Sequence, residues 1–307
     1  MIDRVGLVEP LFRQQSGEGF VFHKGVQPMS RTERKIEALR NAAIRSPEYA
    51  EIVPFFIAIQ EYLLGREDKT GITVVTSATP KERNKAGFPL ISASDLKIDQ
   101  VQAGLFLAGL VDVVKLNGRG ADDQIQKLMA AIESGQVDPA MLFTAILERR
   151  REPLEETAST LEIAAPLVEF LFEIPLRIML EQFSQQYGAD DVAGWQEGFC
   201  PICGSRAGMA EIAGEEGHRC LACSACNFKW FFRRIKCPYC GNEEAENQSY
   251  FTVDDGPSRV DVCKACQCYI KTRDSKKGDA DIPLDITDAL TIHLDLVAAR
   301  ERYERGK

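Results

Sequence analysis

All ten cysteines of this 307-residue chain fall between Cys200 and Cys268, and eight of them form C-x-x-C hooks set out as a tandem repeat. "CPICGS" at 200–205 is matched by "CPYCGN" at 237–242, and "CSACNF" at 223–228 by "CKACQC" at 263–268. The offsets are 37 and then 40 residues, so the second copy has gained three residues between its hooks. Each copy supplies four thiols: Cys200, Cys203, Cys223 and Cys226 in the first, Cys237, Cys240, Cys263 and Cys266 in the second. A two-residue hook turns so that both sulfurs aim at one point, and two hooks complete a tetrahedral four-sulfur site. Gly204 and Gly241 directly follow the first hooks, where glycine suits a left-handed backbone. Units of this size bury too little apolar surface to fold unaided, so metal binding is expected to supply much of their folding free energy. Tetrahedral sulfur accepts zinc or a single iron, and its closed geometry leaves no position for hydrolytic chemistry.

The repeat also sorts the remaining candidates. Cys220 aligns with Val260 and Cys268 with Phe228, so neither has a counterpart, and both read as small hydrophobes or unreactive thiols. Cys220 and Cys223 form a further C-x-x-C, but only the 223/226 hook is duplicated. His218 could complete a Cys3His site and is assigned instead to a turn. Strands are expected at "FKWFF", at "QSYFTV" and "RVDV" around the turn "DDGPS", and at "YIKTR".

The cysteine-free part reads as helical. Ser30 and Glu33 have capping-box spacing, with Ile36, Leu39 and Ala43 on one face behind them. Ser46-Pro47 is expected to open a second helix through "FFIAIQEYLL" to Gly65, bent or broken at Pro54. Asp99 precedes "QVQAGLFLAGLVDVVKL", whose near-uniform apolarity predicts a central helix buried on most sides, stopped at Asn117-Gly118. Ile125, Leu128, Met129 and Ile132 define the next helix, Asp138-Pro139 opens another, and the pattern stays helical from Pro153 to about Gln186. The stretch 65–95 reads as mostly loop.

Charge and hydropathy limit the function. A net charge of -9 and a pI near 5.1 make a polyanion an unlikely partner, although a local basic patch could exist. The best apolar run, "IAAPLVEFLFEIPL", is interrupted by Glu169, Glu173 and two prolines, so no membrane insertion is expected. The first residues lack the basic start and apolar middle of a signal peptide, which leads to a cytoplasmic assignment. In that compartment spaced thiols hold metal more often than they form disulfides. No G-x-S-x-G, H-E-x-x-H or Walker sequence occurs, "NGRG" at 117–120 reads as a helix stop, and His23 and His293 stand alone. No catalytic residue is assigned.

The array "CPICGS", "CSACNFKW", "RRIKCPYCGN" and "CKACQCYIK" behind a helical part resembles the formate dehydrogenase accessory proteins of the FdhE family. The resemblance covers nearly the whole chain, but only the four hooks are specific. It implies a cytoplasmic, non-enzymatic protein with iron in two rubredoxin-like sites ligated by the eight matched cysteines, zinc being the alternative. It further implies binding to the immature catalytic subunit of formate dehydrogenase. Cys220 and Cys268 depart from the family pattern. The expected architecture is a mixed fold: an all-α domain over 1–190, tandem zinc-ribbon-like β units over 191–275 (about 196–234 and 235–275), and a linker with a C-terminal helix over 276–307. Oligomeric state is not legible. Two other classes fit parts of the sequence. "FKWFFRRIK" interleaves basic and aromatic residues as a single-strand nucleic-acid binder would, and a rubredoxin-type electron carrier would need only the hooks.

Overall fold

The computed structural model describes residues 29–45, 49–253 and 255–306. The expected opening of the second helix at Ser46-Pro47, His23, the signal-peptide region and Asp254 of the "DDGPS" turn lie outside the described residues.

The helical half contains α1 (Arg31–Arg45), α2 (Val53–Leu63), α3 (Pro80–Lys85), α4 (Gln100–Asn117), α5 (Asp122–Glu133), α6 (Pro139–Leu147), α7 (Glu152–Leu161) and α8 (Ala165–Ser184). The capping box before α1 is formed, Glu33 N–H donating to Ser30 Oγ at 3.1 Å and Ser30 N–H to Glu33 Oε2 at 2.6 Å. Asp99 caps α4 by accepting from Gln102 N–H at 3.0 Å, and Asp138 caps α6 by accepting from Ala140 N–H at 2.9 Å.

Two expectations for this half are corrected and two are sharpened. Pro54 sits in the first turn of α2, which begins at Val53, where its missing N–H would have had no partner. The run from Pro153 is two helices, parted where Glu162 takes a left-handed φ of 52° and Pro166 opens α8. The apolar α4 buries Phe106, Leu107, Leu110 and Val114 but leaves Val101, Leu105 and Leu116 exposed, so it is covered on one side only. The stretch 65–95 is mostly loop, as expected, but also holds α3 and the short strand β1 (Ile72–Val74), which pairs antiparallel with β2 (Leu96–Ile98). Its Thr79-Pro80-Lys81-Glu82 is itself a capping box with proline in the first turn.

The C-terminal half is built on one sheet. β3 (Ala207–Ala213), β4 (His218–Cys223) and β5 (Lys229–Phe231) form the first three-stranded antiparallel ribbon; β6 (Gln248–Phe251), β7 (Ser258–Cys263) and β8 (Cys268–Asp274) form the second. The ribbons fuse through a parallel β3–β8 seam, Met209 facing Lys271 and Ile212 facing Asp274, giving the order β5-β4-β3-β8-β7-β6. The expected C-terminal helix is two short ones, α9 (Leu284–Ala289) and α10 (Ile292–Arg300), followed by β9 (Glu304–Arg305), which pairs parallel with β8.

Buried ion pairs fasten this tail. Lys271, on β8 and fully buried, reaches Asp288 at 2.8 Å and Asp295 at 2.7 Å. Lys35 of α1 joins Glu181 of α8 at 2.8 Å to Asp285 of α9 at 2.7 Å. Removing one partner of such a pair strands a charge in the interior, at a cost of about 3–5 kcal/mol. One continuous apolar core runs from α4 and α8 into the first ribbon, taking in Ile202, Leu221 and Trp230.

Candidate metal centres

The structure gathers the eight matched cysteines into two quartets, within each of which all four sulfurs lie within 4.8 Å of one another. In the first, Cys200 is 3.5 Å from Cys226, and Cys203 is 3.4 Å from Cys223 and 3.6 Å from Cys226. In the second, Cys237 is 3.7 Å from Cys266 and Cys240 is 3.8 Å from Cys263. A disulfide would hold its sulfurs at about 2.05 Å. A tetrahedral ion with metal–sulfur bonds of about 2.3 Å sets sulfurs ~3.8 Å apart, so the spacing and the soft donor set both fit zinc or iron.

Local backbone geometry explains why each hook works. Amides point at the leading sulfur: Ile202 N–H donates to Cys200 Sγ at 3.4 Å, Ala225 N–H to Cys223 Sγ at 3.3 Å, and Tyr239 N–H to Cys237 Sγ at 3.4 Å. Each hook then ends on a left-handed residue: Gly204 (φ 75°), Asn227 (56°), Gly241 (73°) and Gln267 (56°). Sequence reasoning found the two glycines and missed Asn227 and Gln267, although the repeat sets both at the same point after their hooks. Asparagine tolerates this region better than glutamine does. Asn227 also donates to Asp285 of α9 at 3.1 Å.

The quartets differ in surroundings. Every sulfur-bearing residue of the first is buried, and the helical half holds its backbone directly. Leu90 N–H donates to Pro201 O at 2.9 Å, Ile91 N–H to Ile202 O at 3.0 Å, and Ser184 Oγ to Cys226 O at 3.0 Å. In the second, Cys237 and Cys263 are buried, Cys266 is half-buried and Cys240 is exposed. Gly198 packs so tightly on the second ribbon's first hook that a Cβ there would run into the Pro238 carbonyl. Burial pushes the Cys200 and Cys226 thiols well above the ordinary range, while hydrogen bonds from the other three thiols hold Cys203 well below it. Burial likewise pushes Cys237 up to about 11. A cation that fills either quartet must displace protons, which ties loading to pH.

Cys220 and Cys268 stay outside both quartets. Cys220 lies half-buried in β4, its thiol raised first by burial and then by Glu211, and Cys268 Sγ lies 3.5 Å from Cys266 O. His218 is exposed in β4 rather than in a turn, with Nε2 2.8 Å from Glu216 Oε2. In "FKWFFRRIK", Trp230 and Phe232 are buried, only Phe231 is exposed among the aromatics of β5 and its flank, and Arg233 is 2.9 Å from Glu243. Alternate aromatics therefore pack the first ribbon instead of forming a stacking platform. His293 Nδ1 is 3.2 Å from the Tyr49 hydroxyl. Among the described residues, no helix is long and apolar enough to cross a membrane.

A helical half whose core runs into fused, tandem four-cysteine ribbons defines a two-centre cysteine-knuckle protein. The chain is similar in sequence to FdhE homologs and shares their fold. It is 34% identical over 113 residues to an FdhE homolog of Aquifex aeolicus, covering 36% of this chain and 40% of the relative. To an FdhE homolog of Klebsiella pneumoniae it is 26% identical over 196 residues, covering 59% of this chain and 62% of the relative. These matches thus span less than two thirds of the curated relatives' length. The crystal structure of the FdhE protein from Pseudomonas aeruginosa shares the fold, with a TM-score of 0.65 at 18% identity over 89% of this chain and 93% of that one. No protein-family model matches the chain.

Proposed function

We propose that this protein is a cytoplasmic, non-enzymatic accessory factor for formate dehydrogenase that binds the immature catalytic subunit. The observation that carries the reading is the pair of sulfur quartets set on an FdhE-like fold. Cys200, Cys203, Cys223 and Cys226 hold one ion, and Cys237, Cys240, Cys263 and Cys266 hold the other. Iron is favoured by the likeness to the family, with zinc as the alternative. Bound iron would supply a one-electron couple, and bound zinc only rigidity. A factor of this kind needs a preorganised surface, since rigidity lowers the ordering cost of binding a client.

The test is anaerobic purification of the native protein, with elemental analysis, a visible spectrum and co-purification of the formate dehydrogenase catalytic subunit. Two equivalents of iron, a ferric-thiolate colour and a recovered catalytic subunit are expected. A metal-free, folded protein that matures formate dehydrogenase normally would refute the reading.

A further inference from the structure

Beside the first quartet, whose Cys223 is among its lining residues, a cavity of about 840 Å³ opens between the helical half, the first ribbon and the C-terminal tail. Its volume falls in the range of about 300–1,000 Å³ typical of ligand sites. Phe56, Ile59, Phe170 and Ile174 provide an apolar floor. Most charges around it are already matched: Lys35 by Glu181 and Asp285, Arg177 by Glu173, Arg305 by Asp288, and Arg150 by Glu148. Arg149, Arg151 and Arg206 are different. All three are exposed at the rim, and their side chains have no hydrogen bond or ion pair with any described residue. Glu169 is the one unmatched acid among the lining residues, so a locally basic rim stands on a chain of net charge -9. Gln60 is among the lining residues, and its Oε1 is buried without a hydrogen-bond partner, which is costly unless a ligand supplies one.

We propose that this cavity docks an extended protein segment in which an acidic side chain meets the arginine rim and an adjacent bulky apolar side chain covers the floor. A backbone N–H of the segment satisfies Gln60 Oε1. Guanidinium groups grip carboxylates through paired hydrogen bonds, which supplies orientation as well as attraction. A compact polyanion would meet the rim but leave the floor wet and face Glu169. A nucleic-acid strand would need stacking platforms, and Phe56 and Phe170 lie in the floor rather than on the surface rim. Only a segment carrying both acid and hydrocarbon matches all three features. The accessory-factor reading enters solely in taking the client as the source of that segment.

The test uses the metal-loaded full chain to select from a phage-displayed library of random heptapeptides, with the winning peptide measured by fluorescence polarisation. Selection of Asp or Glu beside Leu, Ile, Phe or Trp is expected, with binding weakened at least tenfold by the double variant Arg151→Glu/Arg206→Glu. Gln60→Leu should weaken binding while leaving the melting temperature unchanged or raised, because it removes a buried unpaired acceptor; this separates docking from folding. No enrichment, basic consensus peptides, unchanged affinity in the double variant, or equal competition by inorganic phosphate or an oligo-dT strand would each overturn the proposal. If peptides bind as described but the formate dehydrogenase catalytic subunit does not, only the client's identity falls. If that subunit binds wild type and the double variant equally, the cavity falls and the accessory reading stands.

Discussion

The two quartets come from one repeated sequence unit, yet they occupy opposite physical situations. The first is enclosed by the helical core, and its backbone is hydrogen-bonded to the 65–95 segment and to the end of α8. The second lies in the ribbon bearing the edge strand β6 and presents Cys240 to solvent. Identical hooks therefore do different work: one pins two halves of a molecule together, and the other stays within reach of solvent and partners. Their protein surroundings decide this, since the hooks share spacing, amide geometry and left-handed ends.

The largest effect expected from this contrast is on the first quartet. Cys200→Ser/Cys203→Ser should abolish cooperative folding of the whole chain, a loss above about 4 kcal/mol, seen as a broad or missing thermal transition. A variant that melts like the wild type would show that the core holds without the ion. Cys237→Ser/Cys240→Ser should be milder: one ion equivalent lost, the helical half intact, and faster hydrogen exchange confined to about 235–270. Exchange that spreads into α4 or α8 would erase the proposed difference.

Chelation sharpens the comparison kinetically. Release into a chromogenic chelator should be biphasic, with the second quartet emptying at least tenfold faster because Cys240 is exposed. A single phase would mean the quartets open together. Gly198→Ala probes the contact between them. The added methyl meets backbone at Pro238, so a loss of about 1–3 kcal/mol is expected, with faster release from the second quartet and unchanged release from the slow one. The smallest effect is at the hook ends. Gln267→Gly should stabilise by up to about 1 kcal/mol by relieving a left-handed non-glycine, whereas Asn227→Gly should destabilise by a similar amount because it forfeits the bond to Asp285. Matching responses at the two positions would contradict the assignment of distinct surroundings.

The gathering of eight sulfurs was legible because a repeated hook fixes both its own turn and its partner. Helix starts were legible at Ser30, Asp99 and Asp138, where a cap carried a side-chain signature, but the same signature at Thr79 was missed inside a stretch rich in Gly, Pro and Ser. β3 and β4 were not. "AGMAEIA" and "HRCLAC" lack β-branched runs and a clean alternation, since β3 is a central strand with little exposure on either face and neighbours supply its context. Nothing within "YIKTR" marks Lys271 and Arg273 as buried, yet both are, because their carboxylate partners arrive from α9 and α10 and from Glu211 of β3. The break between α9 and α10 was hidden for a related reason: α9 packs on β3 whereas α10 packs on β7 and β9. Pairings that span such distances leave no mark at either position alone.

The parallel seam between β3 and β8 has a consequence for biosynthesis. β3 emerges from the ribosome roughly 60 residues before the strand that completes its flank, so the first ribbon can fill its quartet and still expose an unpaired edge. Only when β8 and the helices after it have been translated does that edge close, which makes a truncated nascent chain prone to aggregate and leaves completion of the sheet to the end of translation.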